Sequence, residues 1–312
     1  MKSGSVAVID VGSNTIKLLV AKKDAAGALT VVHQASVPVR IGSGIGSDHP
    51  AITAESLKAG IVTIEQLLEE ANSHSPTLIR VVATGAVRDA SNGKRFAEKV
   101  EDATGHPLEV LSGDEEAFGI ATGLVTDPVL GDQQDFLACD LGGGSLELIL
   151  VEKRSPKAAV SLSLGAILLT ERFIASPKAP VPASETQAIS RHVIQTLAES
   201  KFPFPETPPI LMITGGSFFT ARVILAEREG IPFEKRFKLN KTDFSMLLEE
   251  TVSLSLEERY QRFPGLPPNR ADVMAAAFTC IIALFDHLKI VEGINCLRNL
   301  RYGIAIELLA QS

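Results

Sequence analysis

Apolar residues run along this chain with two periods, one of two residues and one near 3.6, and the periods alternate in the same order twice. Residues 5–11 and 15–22 are apolar or alternating runs on either side of a short polar turn, and a third such run covers 29–36, so three consecutive strands are expected. Leu57, Ile61, Ile64, Leu68 and Ala71 then recur at helical spacing in a helix starting near Thr53. A strand at 78–84, a helix at about 94–103, a strand at 108–111 and a helix opening near Ser112 complete the first half. The second half restarts with strands at about 135–140, 145–152 and 158–164. Helices follow, the clearest over 184–200, and a strand at 210–213 runs into Thr214-Gly215-Gly216-Ser217, a glycine turn feeding a helix. The expected class is α/β, with three strands followed by alternating helices and strands, built twice.

At 312 residues the chain exceeds one ordinary core and suits two domains of about 150 residues each. The stretch 126–134, rich in Asp, Pro, Gly and Gln, is the expected boundary. It gives lobes over 1–125 and 126–312, with the final helix, 302–310, able to pack back on the first lobe. The proline-rich patches 177–182 and 202–209 read as surface connections.

The duplication extends to two turns. Asp10-Val11-Gly12-Ser13-Asn14-Thr15 and Asp140-Leu141-Gly142-Gly143-Gly144-Ser145 align on their aspartates, so that Gly12 meets Gly142 and Thr15 meets Ser145. Each is an apolar strand ending in a carboxylate, a tight turn of small residues, and a strand leaving it. Glycine lets backbone approach a ligand closely, and successive backbone N–H groups form an anion-binding concavity. Two such turns in register point to a phosphate held by two related lobes, with Gly12, Ser13, Asn14, Gly143, Gly144 and Ser145 as donors. A tight hairpin turn alone explains any single one of them.

Composition narrows the alternatives. With 45% hydrophobic and 21% charged residues and no low-complexity tract, this is the composition of a globular protein. The longest apolar run, 274–285, is bounded by Asp272 and Asp286 and reads as a buried helix, too short for a membrane span. Lys2 is followed almost at once by the strand carrying Asp10, so no signal peptide is expected. Cys139, Cys280 and Cys296 are widely spaced, and the first and second lie in apolar segments. They read as buried thiols of a cytoplasmic protein, not as disulfides or a zinc site. The net charge of −7 argues against a nucleic-acid partner, which needs a basic face. An anionic substrate then requires local arginines or a metal to offset the carboxylates.

The chemistry-bearing residues sit at the ends of the predicted elements. Ser112-x-x-Glu115 has the spacing of a capping box, which occupies Glu115 and leaves Glu116, roughly 100° further round the helix, free to act. A carboxylate there can orient and deprotonate a water; alternatively, both acids merely complement the helix dipole. Asp10 and Asp140 repel a polyanion unless a divalent ion bridges them, which predicts Mg²⁺ or Mn²⁺ dependence. The alternative is that each caps its own turn. Metal contact, direct or through water, is expected at Asp10, Asp140 and Glu116. Thr84 and Arg88 lie at and just beyond a strand end, where Arg88 can stabilise charge on a transferring phosphoryl group or lie solvated in a loop. Arg298 and Arg301 are weaker candidates, since basic residues near a C-terminus commonly sit in solvent or pair with acids. The glycine-rich loop 41–47 reads as a flexible lip and lacks the lysine of a phosphate-binding P-loop.

The order of elements, started twice by D-x-G, resembles the actin-like ATPase superfamily. The detailed segments are similar to the exopolyphosphatase/guanosine pentaphosphate phosphohydrolase (Ppx/GppA) family over most of the chain. They are residues 10–14, Ala83-Thr84-Gly85-Ala86-Val87-Arg88, Ser112-Gly113-Asp114-Glu115-Glu116-Ala117, 140–145, Thr214-Gly215-Gly216-Ser217 and Leu300-Arg301-Tyr302-Gly303. The resemblance implies two ribonuclease H-like domains with mixed five-stranded sheets and a cleft between them. It implies a magnesium-dependent hydrolase, an exopolyphosphatase removing terminal orthophosphate from inorganic polyphosphate, with Glu116 as base. Asp10, Asp140 and Arg88 are its further catalytic residues, and Gly12, Ser13, Asn14, Thr84, Gly142, Gly143, Gly144, Ser145 and Gly215 its phosphate-binding ones. A homodimer is implied only by the same likeness. Relatives of this length look like the two lobes alone, so a weaker grip on long chains is expected. Lys17, where arginine is frequent, with Gly85, Leu146 and Ile167-Leu168, departs from the family pattern and bears on substrate preference. Three other readings stay open: a guanosine pentaphosphate phosphohydrolase, a non-catalytic sensor of such alarmones, and a kinase of the same superfamily with an adenosine pocket at residues 214–217.

Overall fold

The computed structural model describes residues 4–47, 49–206, 209–267 and 269–311. It divides into two compact units, Met1–Asp127 with Arg298–Ser312, and Pro128–Leu297.

The first unit begins with β1 (Val6–Val11), β2 (Thr15–Lys23) and β3 (Leu29–Pro38) and continues through α1 (Ala54–Ser73), β4 (Leu78–Ala83), α2 (Gly85–Arg88), α3 (Gly93–Thr104), β5 (Leu108–Val110) and α4 (Gly113–Leu124). Its sheet has the order β3-β2-β1-β4-β5. β1 is antiparallel to β2 and parallel to β4, and every residue of β1 is buried, which is why it reads as a continuous apolar run interrupted by Asp10. The edge strand β3 is exposed on one face and alternates accordingly.

The second unit carries β6 (Phe136–Leu141), β7 (Leu146–Glu152), β8 (Ser155–Leu162), α5 (Ala166–Phe173), α6 (Ala183–Glu199), β9 (Ile210–Thr214), α7 (Gly216–Glu229), β10 (Lys238–Asn240), α8 (Lys241–Ser253), α9 (Leu256–Arg262), α10 (Met274–Leu288) and β11 (Glu292–Asn295). Its sheet has six strands, in the order β10-β11-β9-β6-β7-β8, against the expected five. The extra strand, β10, pairs antiparallel with β11 over three residues of which only Leu239 is buried, so it offers no period to read. α10 is the apolar helix expected at 274–285, and it packs on α5, α6 and α8.

The final helix, α11 (Leu300–Gln311), packs on α4, β1 and β2, inside the first unit, so the second unit ends at Leu297. Two glycine contacts bring the helices together. A β-carbon at Gly303 would lie 1.9 Å from the Gly119 carbonyl oxygen, and one at Gly123 would lie 2.0 Å from that of Asn299. Gly303→Ala gains up to about 1 kcal/mol of helix propensity, yet its methyl meets backbone that cannot rotate away. A net loss of about 1–3 kcal/mol is expected, read as a lower urea midpoint with an unchanged slope.

The described residues of the proline-rich patches connect elements within the second unit and lie mostly exposed or half-buried. Val181 and Phe202 are buried. The fully buried Arg259 donates to the carbonyls of Pro177, Ala179, Thr251 and Ala271 at 2.8–3.1 Å, which fastens residues 177–179 to α8 and to the approach to α10. Thr207 and Pro208 of the second patch, and Lys2 of the N-terminal reading, lie outside the described residues. Cys139, Cys280 and Cys296 are buried thiols outside any disulfide among the described residues, and burial pushes the Cys280 thiol up to about 12. Among the described residues no helix is long and apolar enough to cross a membrane.

Candidate active site

In the first unit the β1–β2 turn is held by its carbonyls. Ser13 O accepts from the Gly42 N–H at 2.8 Å, and Asn14 O accepts from Val39 and Arg40 at 3.2 and 3.1 Å. A β-carbon at Gly42 would come within 2.9 Å of the Ser13 Cβ, so the glycine is required by close approach. Loop 41–47, expected as a flexible lip, therefore backs the turn, and its Ile41 and Ile45 are buried. Asp10, Ser13 and Asn14 are buried as well. Across the ladder Asp10 faces Lys17.

The second unit repeats the device. The carbonyls of Gly142, Gly143 and Gly144 accept from the amides of residues 165–168, at the start of α5, at 2.9–3.1 Å. Gly165 approaches so closely that a β-carbon there would lie 2.3 Å from Gly143 and Gly144 backbone atoms. Gly12 and Gly142 close their turns by donating their N–H groups to Thr15 O and Ser145 O at 3.2 and 3.0 Å. Across this ladder Asp140 faces not a lysine but Glu147, which is buried and accepts from Ser161 Oγ at 2.8 Å.

α4 separates the two glutamates. Ser112 Oγ accepts from the Glu115 N–H at 3.2 Å while Glu115 Oε2 accepts from the Ser112 N–H at 2.8 Å, a complete capping box that holds the exposed Glu115 carboxyl below its ordinary value. Glu116, 6% exposed, turns inward, and its Oε2 accepts from Arg88 Nη1 at 2.8 Å. The same Nη1 donates to Leu111 O at 3.1 Å. Arg88 ends α2, and the Thr84 N–H at the head of that turn reaches Val11 O at 3.5 Å, joining the end of β4 to the end of β1.

Gly215, at φ 105°, is a left-handed position where a β-carbon would lie 2.4 Å from Leu141 O and 2.7 Å from an Asp140 carboxylate oxygen. Arg270 lies over the next residue, since a β-carbon at Gly216 would be 2.0 Å from its Nη2. The buried Ser217 Oγ has no hydrogen-bond partner among the described residues, and it lines a water-sized cavity of about 10 Å³ with Thr220 and Arg270.

Three residues near these turns escaped the sequence reading or were underweighted. Glu147 and Arg270 carry no local signal beyond charge in an apolar context. Arg301, expected to be solvated or paired, is buried, and its Nη1 donates to Leu18 O at 3.0 Å. Burial pushes the Asp10 carboxyl above its ordinary range, while Lys17 and Arg301 pull it back. Arg298 behaves differently. Its backbone N–H donates to Asp127 Oδ2 at 3.0 Å and its Nη1 to Thr126 O at 2.7 Å, joining the two places where the chain leaves and re-enters the first unit.

Asp10 and Glu116 thus belong to one unit and Asp140 to the other. Among the described residues no three His, Cys, Asp or Glu side chains are grouped to hold a metal ion. The donors present are carboxylate oxygens, the type that magnesium and manganese take.

Two α/β units with mixed sheets, each opening on a glycine turn, define an actin-like ATPase type of fold. The chain belongs to the Ppx/GppA phosphatase family, whose model matches residues 19–312. It is 28% identical over 309 residues to a guanosine-5'-triphosphate,3'-diphosphate pyrophosphatase of Vibrio vulnificus strain YJ016. That alignment takes in 98% of this chain and 59% of the relative, so the chain spans about three fifths of the relative's length. An exopolyphosphatase of Cytophaga hutchinsonii superposes with a TM-score of 0.85 at 23% identity, covering 98% of each chain. The Aquifex aeolicus member of the Ppx/GppA family gives 0.80 at 19% identity, covering 99% of this chain and 98% of that one. An exopolyphosphatase-like protein gives 0.88 at 23%, covering 99% and 98%.

Proposed function

We propose that this chain is a phosphoric anhydride hydrolase that releases terminal orthophosphate from inorganic polyphosphate. The observation that carries the reading is the division of labour on α4: Glu115 is consumed by the helix cap, while Glu116 is buried and braced by Arg88 at 2.8 Å. In this reading a water attacks the terminal phosphorus in line with the bridging oxygen. Glu116 takes the proton as the new P–O bond forms, and the bond to the bridging oxygen breaks, leaving the shortened chain as an anion. Arg88 offsets charge on the phosphoryl oxygens. The turn residues Ser13, Asn14, Gly143, Gly144 and Ser145, with Thr84 and Gly215, bind and orient the substrate's phosphates, while Gly12 and Gly142, whose N–H groups close the turns, let a phosphate approach closely. Asp10, Asp140 and Glu116 are the candidate carboxylates for Mg²⁺ or Mn²⁺, with Glu147 beside Asp140 on the ladder. When bound, such an ion neutralises charge on phosphate oxygens.

Guanosine pentaphosphate is the second reading, favoured by the name of the Vibrio relative. The experiment is orthophosphate release from long-chain polyphosphate and from guanosine pentaphosphate, with Mg²⁺ and with chelator. Metal-dependent release, with a higher kcat/KM on polyphosphate, is the expected result. A higher value on guanosine pentaphosphate moves the function to the second reading. Tight alarmone binding without turnover of either substrate replaces both with a sensor.

A further inference from the structure

We propose that Arg301 is a positioning residue for Asp10, reaching the first glycine turn from the opposite end of the chain. The role rests on the hydrolase reading above. α11 has little freedom to shift, because its backbone meets that of α4 at Gly119–Gly303 and Gly123–Asn299 with no room for a β-carbon. Arg301 lies in the first turn of this helix, and its Nη1 donates to Leu18 O at 3.0 Å. Leu18 neighbours Lys17, the ladder partner of Asp10, so Arg301 is tied to β2 one residue from the rung that carries the carboxylate.

The local chemistry argues against a mere packing role. Arg301 Nε is buried and has no hydrogen-bond partner among the described residues. Leaving a charged donor unsatisfied away from water is costly. Leucine or methionine would fill the same volume without that cost, but neither would place positive charge beside a buried carboxylate. Arg301 and Asp10 are both buried, and α11 packs on β1, the strand that carries Asp10. The same α11 packs on α4, whose first turn carries Glu116, so one helix orients both carboxylates of the first unit.

The test is a double-mutant cycle of Arg301→Met and Asp10→Asn, read in two ways: kcat and KM for phosphate release, and urea unfolding. Arg301→Met is expected to lower kcat at least about tenfold while KM changes less than about twofold. In the Asp10→Asn background the same replacement should lower kcat by less than about twofold, with matching non-additivity in unfolding free energy. Arg301→Lys should recover part of kcat. Equal fractional losses in both backgrounds, with additive unfolding energies, overturn the proposal and leave Arg301 as packing. Should Arg301→Met not fold, the cycle is run with Arg301→Gln, which removes the charge but keeps a donor for Leu18 O, and the same outcomes decide. If the wild type releases phosphate from neither substrate, the hydrolase reading fails. The unfolding cycle then decides alone, and additivity there overturns the Asp10–Arg301 link.

Discussion

Glu116→Gln is expected to slow orthophosphate release from polyphosphate by about 10²–10⁴-fold, the range for loss of a positioned general base. Glutamine keeps the volume and an oxygen that can accept from Arg88 Nη1, so the 2.8 Å contact has a substitute and folding should be little affected. What is lost is the capacity to take a proton from water. The neighbouring residue supplies the control. Glu115→Gln keeps an oxygen that can accept from the Ser112 N–H but removes a negative charge from the first turn of α4, which costs about 0.3–1 kcal/mol of stability. Its rate should stay within about threefold of wild type, because the Glu115 side chain is exposed and committed to Ser112. Single-turnover measurements on a short polyphosphate separate this from slow product release. A Glu116→Gln enzyme that keeps more than about a tenth of the wild-type rate rejects the base assignment.

The contrast between these two glutamates also marks what the sequence makes legible. A capping box is local: Ser112 and Glu115 are three residues apart, and their spacing alone separates Glu115 from Glu116. The same holds for the repeated strand-turn-strand units around Asp10 and Asp140, whose grammar lies within a few consecutive residues. The fold class followed from these and from the periodicities. The backing of each turn did not, because Gly42 meets Ser13 and Gly165 meets Gly143 only through tertiary packing. Arg301 could not be weighed for the same reason. A basic residue 291 positions from Asp10 gives no sign of its neighbour until α11 is seen to return to the first sheet. Proline-rich composition marked residues 177–182 as a connection, and all of them but Val181 are exposed or half-buried, but it said nothing of the Arg259 that fastens the segment. β10 was missed because three residues on a sheet edge carry no measurable period.

Arg88→Met is expected to lower kcat by about 10²–10³-fold, comparable to removing one donor that stabilises developing charge. Two effects combine in that figure. The guanidinium braces Glu116, and in the proposed reaction it also offsets charge on the phosphoryl group. They can be separated. Arg88 Nη1 divides its hydrogens between Leu111 O and Glu116 Oε2, at 3.1 and 2.8 Å, so the planar fork is anchored to backbone while it holds the carboxylate. A lysine has one nitrogen on a flexible stem and cannot keep both bonds while presenting other donors to a phosphate. Arg88→Lys should therefore recover less than about a tenth of the lost rate. In a Glu116→Gln background the bracing component is already without purpose. Arg88→Met should then cost less than it does in the wild type, and the shortfall measures the bracing alone. A double variant slowed by the full product of the two single losses would mean that the pair is a salt bridge between residues acting independently. Full activity of Arg88→Lys would mean that a single positive charge suffices and that the fork geometry plays no part.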